Sequence, residues 1–237
     1  MRQGIMGAEV LFARASAQEN ARPQESSVLP AAGWNLESFA REQIRGLVQQ
    51  VFFSSAQTPV RQVVFSAIDK DTDVKSLCRR VGEELAKETT SKIAILGDYP
   101  QLFLSGEFQA TASDRAPTGL GTLRPAVTWV GENLWLAPAD PGDGVRGSTS
   151  HLHSYLAEIR QEFEYSIVAG PAAAESNQAM AMAQVADGII LVLSAGHTRR
   201  VTARKIKETF YAAQARILGT VLTDRVFPIP EGIYRRL

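Results

Sequence analysis

The apolar residues in the second half of the chain form short runs that alternate with stretches of helical spacing. Three strand-like runs alternate with three helix-like stretches, the runs at residues 165–169, 188–194 and 217–223 and the stretches at 152–159, 176–185 and 199–214. Strands separated by helices of this length are typical of βαβ units. The pattern therefore predicts an α/β fold with a doubly wound, mostly parallel sheet flanked by helices.

The first half of the chain continues this alternation less regularly. Helical spacing predicts two helices and short apolar runs predict three strands, the helices at residues 36–52 and 74–85 and the strands at 63–65, 93–96 and 134–137. Asn35, just before the first helix, is a residue type that commonly caps a helix N-terminus. Residues 97–128 contain several Gly and Pro without clear periodicity, which predicts a long, partly irregular crossover.

Composition divides the chain into two parts. Residues 1–33 are rich in Ala, Gln, Ser, Glu and Pro, which predicts a disordered N-terminal tail. Residues 34–237 contain all the predicted strands and helices, and we expect them to form a single domain. With 45% hydrophobic and 21% charged residues in 237, the chain has an ordinary globular composition and enough length for a well-buried core.

Charge and cysteine content exclude several classes of function. Lys and Arg together number 25, as do Asp and Glu, so no net charge directs the protein to nucleic acid. The single cysteine, Cys78, excludes an internal disulfide and a cysteine-based zinc site, which fits a reducing cytoplasm. No apolar run approaches the roughly 20 residues that span a bilayer. We therefore expect a cytoplasmic protein without a transmembrane segment or a nucleic-acid partner.

Several segments, in order and spacing, resemble the P-loop domain of bacterial capsular-polysaccharide tyrosine kinases, the BY-kinases. They comprise residues 42–45, 63–67, 134–139, 163–168, 186–193, 224–230 and 234–237. Together they extend the resemblance over about residues 35–237. It implies a P-loop NTPase-like fold, shared with the related ParA and MinD ATPases. It also implies a process, the biosynthesis or export of capsular exopolysaccharide.

The loop that should hold phosphate departs from the family pattern. A working P-loop needs glycines whose N–H groups close around phosphate, followed by Lys and Ser or Thr. Residues 68–76 here read Ile-Asp-Lys-Asp-Thr-Asp-Val-Lys-Ser, with no glycine and with three carboxylates that would repel a polyphosphate. Lys75 and Ser76 match the end of the motif, two residues late. We interpret this segment as a degenerate Walker A motif.

Other catalytic positions of the family are also replaced. The second motif, a pair of Asp residues, leaves at most Asp98. The magnesium-positioning Asp of the third motif corresponds to Ala169, and Thr223 and Asp224 stand where relatives often carry Asn. The degenerate candidates for nucleotide contact are thus Lys75, Ser76 and Asp98. We expect a pseudoenzyme with no cofactor and no metal.

The resemblance and these losses together give a functional expectation. We expect a non-catalytic partner in exopolysaccharide biosynthesis or export, bound to a protein and peripheral at the inner face of the plasma membrane. That partner would be a polysaccharide co-polymerase or transport membrane protein, or a paralogous kinase. One alternative is an active ATP-dependent tyrosine kinase or ATPase that uses Mg-ATP despite the atypical loop. Another is a positioning ATPase of the ParA/MinD kind.

Two further features relate to assembly and phosphorylation in the family. Glu42 and Arg45 resemble part of the helix through which the kinases assemble rings, and an ordinary i,i+3 ion pair is the competing interpretation. Tyr234 lies where relatives carry a tyrosine-rich tail, and it is a candidate for phosphorylation by another kinase.

Four remaining patterns have simpler explanations. Residues 69–73 resemble the start of a calcium loop but lack its later Gly and Glu, which favours a turn that caps the next helix. His151 and His153 do not share a helical face, so we expect surface or capping roles. Cys78 lies on an apolar helical face and is expected to be buried. The basic residues of 199–207 predict a solvated helix face or a contact with an acidic partner or membrane surface.

Overall fold

The computed structural model describes residues 36–54, 59–99, 127–139 and 149–224. This part of the chain contains seven strands, β1 (Gln62–Ala67), β2 (Ile93–Leu96), β3 (Thr128–Gly131), β4 (Leu134–Ala137), β5 (Tyr165–Ala169), β6 (Gly188–Ser194) and β7 (Ile217–Thr223). It also contains five α-helices, α1 (Leu36–Val48), α2 (Val74–Glu88), α3 (Thr149–Glu162), α4 (Gln178–Val185) and α5 (Arg200–Ala212). A π-helical turn, Gln49–Phe53, extends α1.

All seven strands form one sheet, in the order β3-β4-β2-β5-β1-β6-β7. Every neighbouring pair is parallel except β3 and β4. The interior strand β1 pairs with β5 on one side and with β6 on the other, so that Val63 lies opposite both Ile167 and Gly188. The doubly wound, mostly parallel α/β fold predicted from the alternating pattern is confirmed.

The helices cover the two faces of the sheet and create two layers of core. Helices α1 and α2 pack on one face, where Leu47 and Leu85 are fully buried. On the other face α3, α4 and α5 supply buried side chains such as Leu156, Met182 and Phe210. Because both faces are covered, the inner strands contain continuous apolar runs rather than alternating ones, which is why they were predictable.

Strand β3 was missed by the sequence prediction, which took residues up to 128 as an irregular crossover. Its residues are only half-buried, since they form the antiparallel edge of the sheet, and their apolar signal is correspondingly weak. The hairpin it forms with β4 is tied to the end of α2 through Asn133. The Asn133 amide donates to the carbonyl oxygens of Ala86, Thr89 and Ser91 at 3.4, 2.6 and 3.1 Å.

Asp187, just before β6, connects that strand to the start of β1. Its carboxylate accepts hydrogen bonds from the N–H groups of Arg61 and Gln62 at 2.7 and 2.9 Å, and from the Arg160 guanidinium at 2.7 Å. Burial raises the pKa of Asp187, but these hydrogen bonds and the Arg160 charge outweigh it, leaving the pKa below its ordinary value of 3.8. The ionised carboxylate therefore contributes to stability.

We predict that Asp187→Asn lowers the free energy of unfolding at pH 7 by about 1–3 kcal/mol, because charge-assisted hydrogen bonds to the start of β1 are weakened. In the unmutated protein this contribution is present above the ordinary carboxyl pKa. It is lost as the pH falls through the depressed folded-state pKa, because the unfolded chain takes up its proton first. Urea unfolding of both proteins at several pH values should therefore show their stabilities converging in acid.

Glu158→Gln is the matched control, since Glu158 is an exposed carboxylate on the same helix as Arg160. It should change stability by less than about 0.5 kcal/mol at every pH. A difference between Asp187→Asn and the parent that stays constant from neutral to acid pH would contradict the role given to this carboxylate.

Candidate functional site

The carboxyl ends of the parallel strands lie along one edge of the sheet, as they do in open α/β folds that bind ligands there. Each position at which the sequence predicted degenerate nucleotide chemistry lies at the end of one of these strands or after it. The loop after β1 occupies the middle of the edge, between the ends of β5 and β6. The candidate site is therefore built around that loop and the start of α2.

Several backbone N–H groups of the loop form hydrogen bonds within the protein. The N–H of Ile68 donates to the carbonyl oxygen of Val192 at 3.0 Å, and the N–H of Thr72 donates to that of Asp69 at 3.4 Å. The N–H of Val74 donates to Thr72 at 3.0 Å. Residues 68–73 include none with a positive φ. Anion-binding nests direct successive N–H groups at one point, often by alternating right- and left-handed residues. This loop does not have that conformation.

Asp73 caps α2 with its own carboxylate. Its oxygens accept hydrogen bonds from the N–H of Ser76 at 3.0 Å and from the Ser76 hydroxyl at 2.6 Å. Burial raises the pKa of Asp73, but the hydrogen bonds from Ser76 and the N–H of Lys75 outweigh it, so the pKa lies below 3.8. The expected capping turn is confirmed at this residue. A negative charge thus already lies at the positive end of the helix.

The three nucleotide-contact candidates lie close together. Lys75 and Ser76 are exposed on the first turn of α2, and the Lys75 ammonium is 3.7 Å from the carboxylate of Asp98. Ser76 is held by the Asp73 cap rather than directed to the loop. The topology therefore brings the candidates together, while their binding of a nucleotide stays a prediction.

Tyr99 is part of the site although the sequence analysis did not select it. Its ring folds back over Gly97, where a Cβ atom would lie 2.6 Å from the Tyr99 Cε2 atom. Its hydroxyl donates to the carbonyl oxygen of Lys75 at 3.5 Å, and burial raises its pKa. The ring therefore fills the space between the end of β2 and the first turn of α2. No local pattern in the sequence indicates this placement.

The segment after β5 is attached to the loop after β1. The N–H groups of Gly170, Ala173 and Ala174 donate to the carbonyl oxygens of Phe65, Ala67 and Ile68 at 2.8, 2.8 and 3.3 Å.

The residues flanking these backbone bonds are also held in place. The Ser66 hydroxyl donates to the carbonyl oxygen of Pro171 at 2.6 Å. Ala169, where the sequence resemblance predicted the loss of a magnesium-positioning Asp, is buried and belongs to the core beneath α1 and α2. Because its side chain is a methyl group, it presents no oxygen to a metal ion or its water.

The ends of β6 and β7 are joined to each other. The Thr223 hydroxyl lies 3.2 Å from the carbonyl oxygen of Leu193 and 3.1 Å from the carboxylate of Asp224. Asp224 itself is in the left-handed region, with φ of 58°. In β6 the N–H of Ser194 donates to the Thr198 hydroxyl at 3.0 Å. These contacts connect the carboxyl ends of β6 and β7, and they leave the Thr223 hydroxyl hydrogen-bonded to the backbone.

The described residues contain no group of three His, Cys, Asp or Glu that would hold a metal ion. One carboxylate oxygen of Asp69 is buried without a hydrogen-bond partner in the described chain. His151 is exposed and His153 is half-buried on α3.

None of the described helices has the length and apolar character that crossing a membrane would require.

The remaining candidates lie away from the edge. Arg45 pairs with Glu88 of α2 at 3.0 Å, so the i,i+3 pair with Glu42 considered from the sequence was wrong. Glu42 is exposed, and its assembly role, like that of Arg45, stays a prediction. Cys78 is buried as expected, and burial raises the pKa of its thiol. Tyr234 and the rest of residues 225–237 lie outside the described residues.

Comparison with known proteins identifies the fold. No family model matches the sequence, and no curated protein matches it significantly. The kinase domain of the Escherichia coli tyrosine kinase ETK is 15% identical with a TM-score of 0.62, over 77% of this chain and 74% of that one. The chimerical protein CapA2B2 is 16% identical with a TM-score of 0.58, over 76% of this chain and 83% of that one.

ATPases of the ParA type share the same architecture. A ParA-family ATPase from Chlorobium tepidum is 14% identical with a TM-score of 0.53, over 68% of this chain and 72% of that one. At such identities the similarity establishes the fold alone. The chain therefore has the P-loop NTPase-like fold of BY-kinase domains and ParA-type ATPases, as the sequence resemblance predicted.

We predict that Asp73→Ala destabilises the protein by about 0.5–2 kcal/mol at pH 7, the usual cost of removing an N-cap. Chemical denaturation would measure it, and Asp73→Ser should recover most of the loss because serine is also a good cap. Asp71→Ala is the matched control, since Asp71 is exposed in the same loop. Equal effects of Asp71→Ala and Asp73→Ala would contradict the capping role.

Proposed function

We propose that this protein is a non-catalytic relative of the capsular tyrosine kinases that acts as a binding or regulatory partner in exopolysaccharide biosynthesis or export. The fold supports the family assignment. The observation that carries the loss of catalysis is the Asp73 carboxylate at the N-terminus of α2, where a nucleotide phosphate would have to lie. The process is inferred from the family, since a fold by itself does not specify a function.

The physical argument rests on competition between anions. A helix N-terminus favours one negative charge, and here Asp73 supplies it through two hydrogen bonds with Ser76. A phosphate entering the same position would have to displace this cap and would meet the Asp71 carboxylate in the same loop. The Ser76 hydroxyl, which would contact magnesium in a working motif, donates to Asp73 instead.

The surrounding segments support the same proposal. Ala169 offers no ligand to magnesium, and the segment after it is hydrogen-bonded along the loop that should open for a nucleotide. Tyr99 fills the space beside the first turn of α2. Binding a nucleotide would therefore require several packed elements to move together, without a cluster of glycines that would allow it.

The alternative is an active tyrosine kinase or ATPase that uses Lys75, Ser76 and Asp98 with Mg-ATP. One observation favours it. The Lys75–Asp98 ion pair is exposed and 3.7 Å long, and such pairs contribute only about 0–1 kcal/mol, so Lys75 could readily turn to a phosphate. A ParA/MinD-like positioning ATPase would share this chemistry and would also need nucleotide-dependent dimerisation.

We propose a protein partner, either a polysaccharide co-polymerase or transport membrane protein or a paralogous kinase. The protein would then be recruited to the inner face of the plasma membrane from the cytoplasm. Glu42 and the outer face of α1 are exposed and available for such a contact. A paralogous kinase would be the source of phosphate on Tyr234.

We predict that millimolar Mg-ATP leaves the melting temperature of the full chain unchanged within about 1 °C. A ligand at about 100 times its Kd stabilises by about 2.7 kcal/mol, which corresponds to a shift of about 5–10 °C for a chain of this size. Differential scanning fluorimetry with ADP, Mg-ATP and magnesium-free ATP would measure it. Sodium phosphate at matched ionic strength controls for general anion effects.

A magnesium-dependent shift that disappears in Lys75→Ala would support the active alternative and overturn the non-catalytic proposal. In that case, incubation with Mg-ATP followed by mass spectrometry would test for phosphate on Tyr234. Lys87→Ala is the control for loss of a lysine from the same helix, since Lys87 is exposed at its far end.

We predict that deleting the gene in its native host lowers surface polysaccharide, and that Lys75→Ala or Asp98→Ala restores it as fully as the unmutated gene. A partner that performs no phosphoryl transfer needs its fold and its contact surface, and both substitutions are on exposed positions. Quantifying polysaccharide and protein level in each complemented strain gives the comparison.

Two results would count against this proposal in different ways. Unchanged polysaccharide after deletion would remove the process assignment. Failure of Lys75→Ala to complement at normal protein level would remove the non-catalytic assignment while keeping the process.

A further inference from the structure

Helix α5 covers the sheet incompletely. Phe210 is its one buried residue, whereas Val201 is 80% exposed and Tyr211 is 44% exposed. Most helices that cover an α/β sheet direct an apolar stripe at the strands. Along α5, Ala203, Ile206 and Phe210 form such a stripe. The neighbouring stripe of Arg200, Arg204, Lys207 and Tyr211 lines a gap between the helix and the sheet.

This gap is a groove of about 620 Å³. Its apolar lining comes from strands β6 and β7 and from the loop after β1, and comprises Ile68, Leu191, Leu193 and Ile217. Ala203 and Tyr211 of α5 extend the apolar part. A volume of this size and a mainly apolar lining with a few charged groups are typical of sites for small organic ligands.

The charges of the groove are concentrated on one wall. Arg200, Arg204 and Lys207 follow spacings of four and three residues, which places them on one face of α5. None of the three forms an ion pair with a described carboxylate, and Glu208 is the single acidic residue of the lining. Lys207 lies 5.5 Å from the centre of the Tyr211 ring. The wall therefore presents three cations and one carboxylate, an excess of positive charge, beside an apolar floor.

We propose that this groove binds an amphiphilic anion, a phosphate or carboxylate head group attached to an apolar chain. The head group would pair with Arg204 and Lys207, while the chain would lie on Leu191, Leu193 and Ile217. Guanidinium and ammonium groups that form no ion pair with a described carboxylate select an anion, and the apolar floor selects what the anion carries. This site shares Ile68 alone with the degenerate nucleotide loop, residues 68–76, and it does not depend on the function proposed above.

An anion without an apolar chain would use only the charged wall of the groove. A free phosphate would use the cations and leave the apolar floor in water, whereas a flat anionic membrane surface would contact only the outer face of α5. The basic stretch predicted from the sequence, residues 199–207, has Lys205 exposed outside the groove lining and Arg204 within it. Substitutions of Arg204 and Lys205 can therefore distinguish binding in the groove from binding to a basic surface.

Isothermal titration calorimetry of the full chain with butyl, octyl and dodecyl phosphate, kept below their micelle concentrations, tests the proposal. We expect one site with a Kd on the order of 100 µM for the dodecyl compound. Affinity should increase with chain length, because each added methylene buries more apolar surface. Inorganic phosphate should bind at least about tenfold more weakly than dodecyl phosphate.

The matched variants are Arg204→Glu with Lys207→Glu, and Lys205→Glu. The first pair reverses two charges in the groove and should weaken dodecyl phosphate binding by about tenfold or more. Lys205→Glu changes an adjacent exposed lysine and should leave the Kd within about twofold. Thermal unfolding of each variant shows whether it is folded before titration.

Three results would overturn the proposal. One is the absence of heat with dodecyl phosphate, and another is equal affinity for inorganic phosphate, which would mean that the floor has no role. The third is equal weakening by Lys205→Glu together with sedimentation on vesicles of phosphatidylcholine and phosphatidylglycerol. That combination would identify a basic membrane-contact surface rather than a groove.

Discussion

Strand β1 lies inside the sheet with a parallel neighbour on each side and a helix layer on each face, and this burial dictates much of the surrounding structure. All six of its residues are buried. An unpaired polar group there costs about 1–3 kcal/mol. Most polar groups of the strand have a partner, and the side-chain oxygen of Gln62 is the exception among its described side-chain atoms. The Gln62 amide donates to Leu156, and the first N–H groups are bonded by Asp187. The loop that follows leaves the sheet at its centre, where it is confined between the ends of β5 and β6.

The sequence was most informative where burial is complete. The bounds predicted for β5, β6 and β7 agree with the structure because continuous apolar runs report directly on strands covered on both faces. It was least informative at the sheet edge. Strand β3 is half-exposed, and the contacts of Asn133 that hold its hairpin reach residues more than 40 positions away. Such contacts depend on the three-dimensional arrangement of elements and leave no local periodicity to detect.

In the candidate site too, local features could be predicted from the sequence and contacts between segments could not. Asp73 was predictable as a cap because residue type and position decide capping locally. The proximity of Lys75 and Asp98 follows from the shared edge of parallel strands. The placement of Tyr99 over Gly97, and the hydrogen bonding of the segment after β5 to the β1 loop, could not be predicted. Both result from packing between segments that are distant in sequence or have no regular structure.

The strand order also has a consequence for how the protein acquires its structure. The two strands that flank β1 both come from the second half of the chain, since Gln62 pairs with Ser166 and Val63 with Gly188. At about 5–20 residues per second, a ribosome takes roughly 5–20 s to add the next hundred residues. Throughout that interval the apolar segment of β1 has no strand to pair with. Folding of β1 into the sheet must therefore wait for distant partners, and until then its apolar segment is exposed to association with other chains.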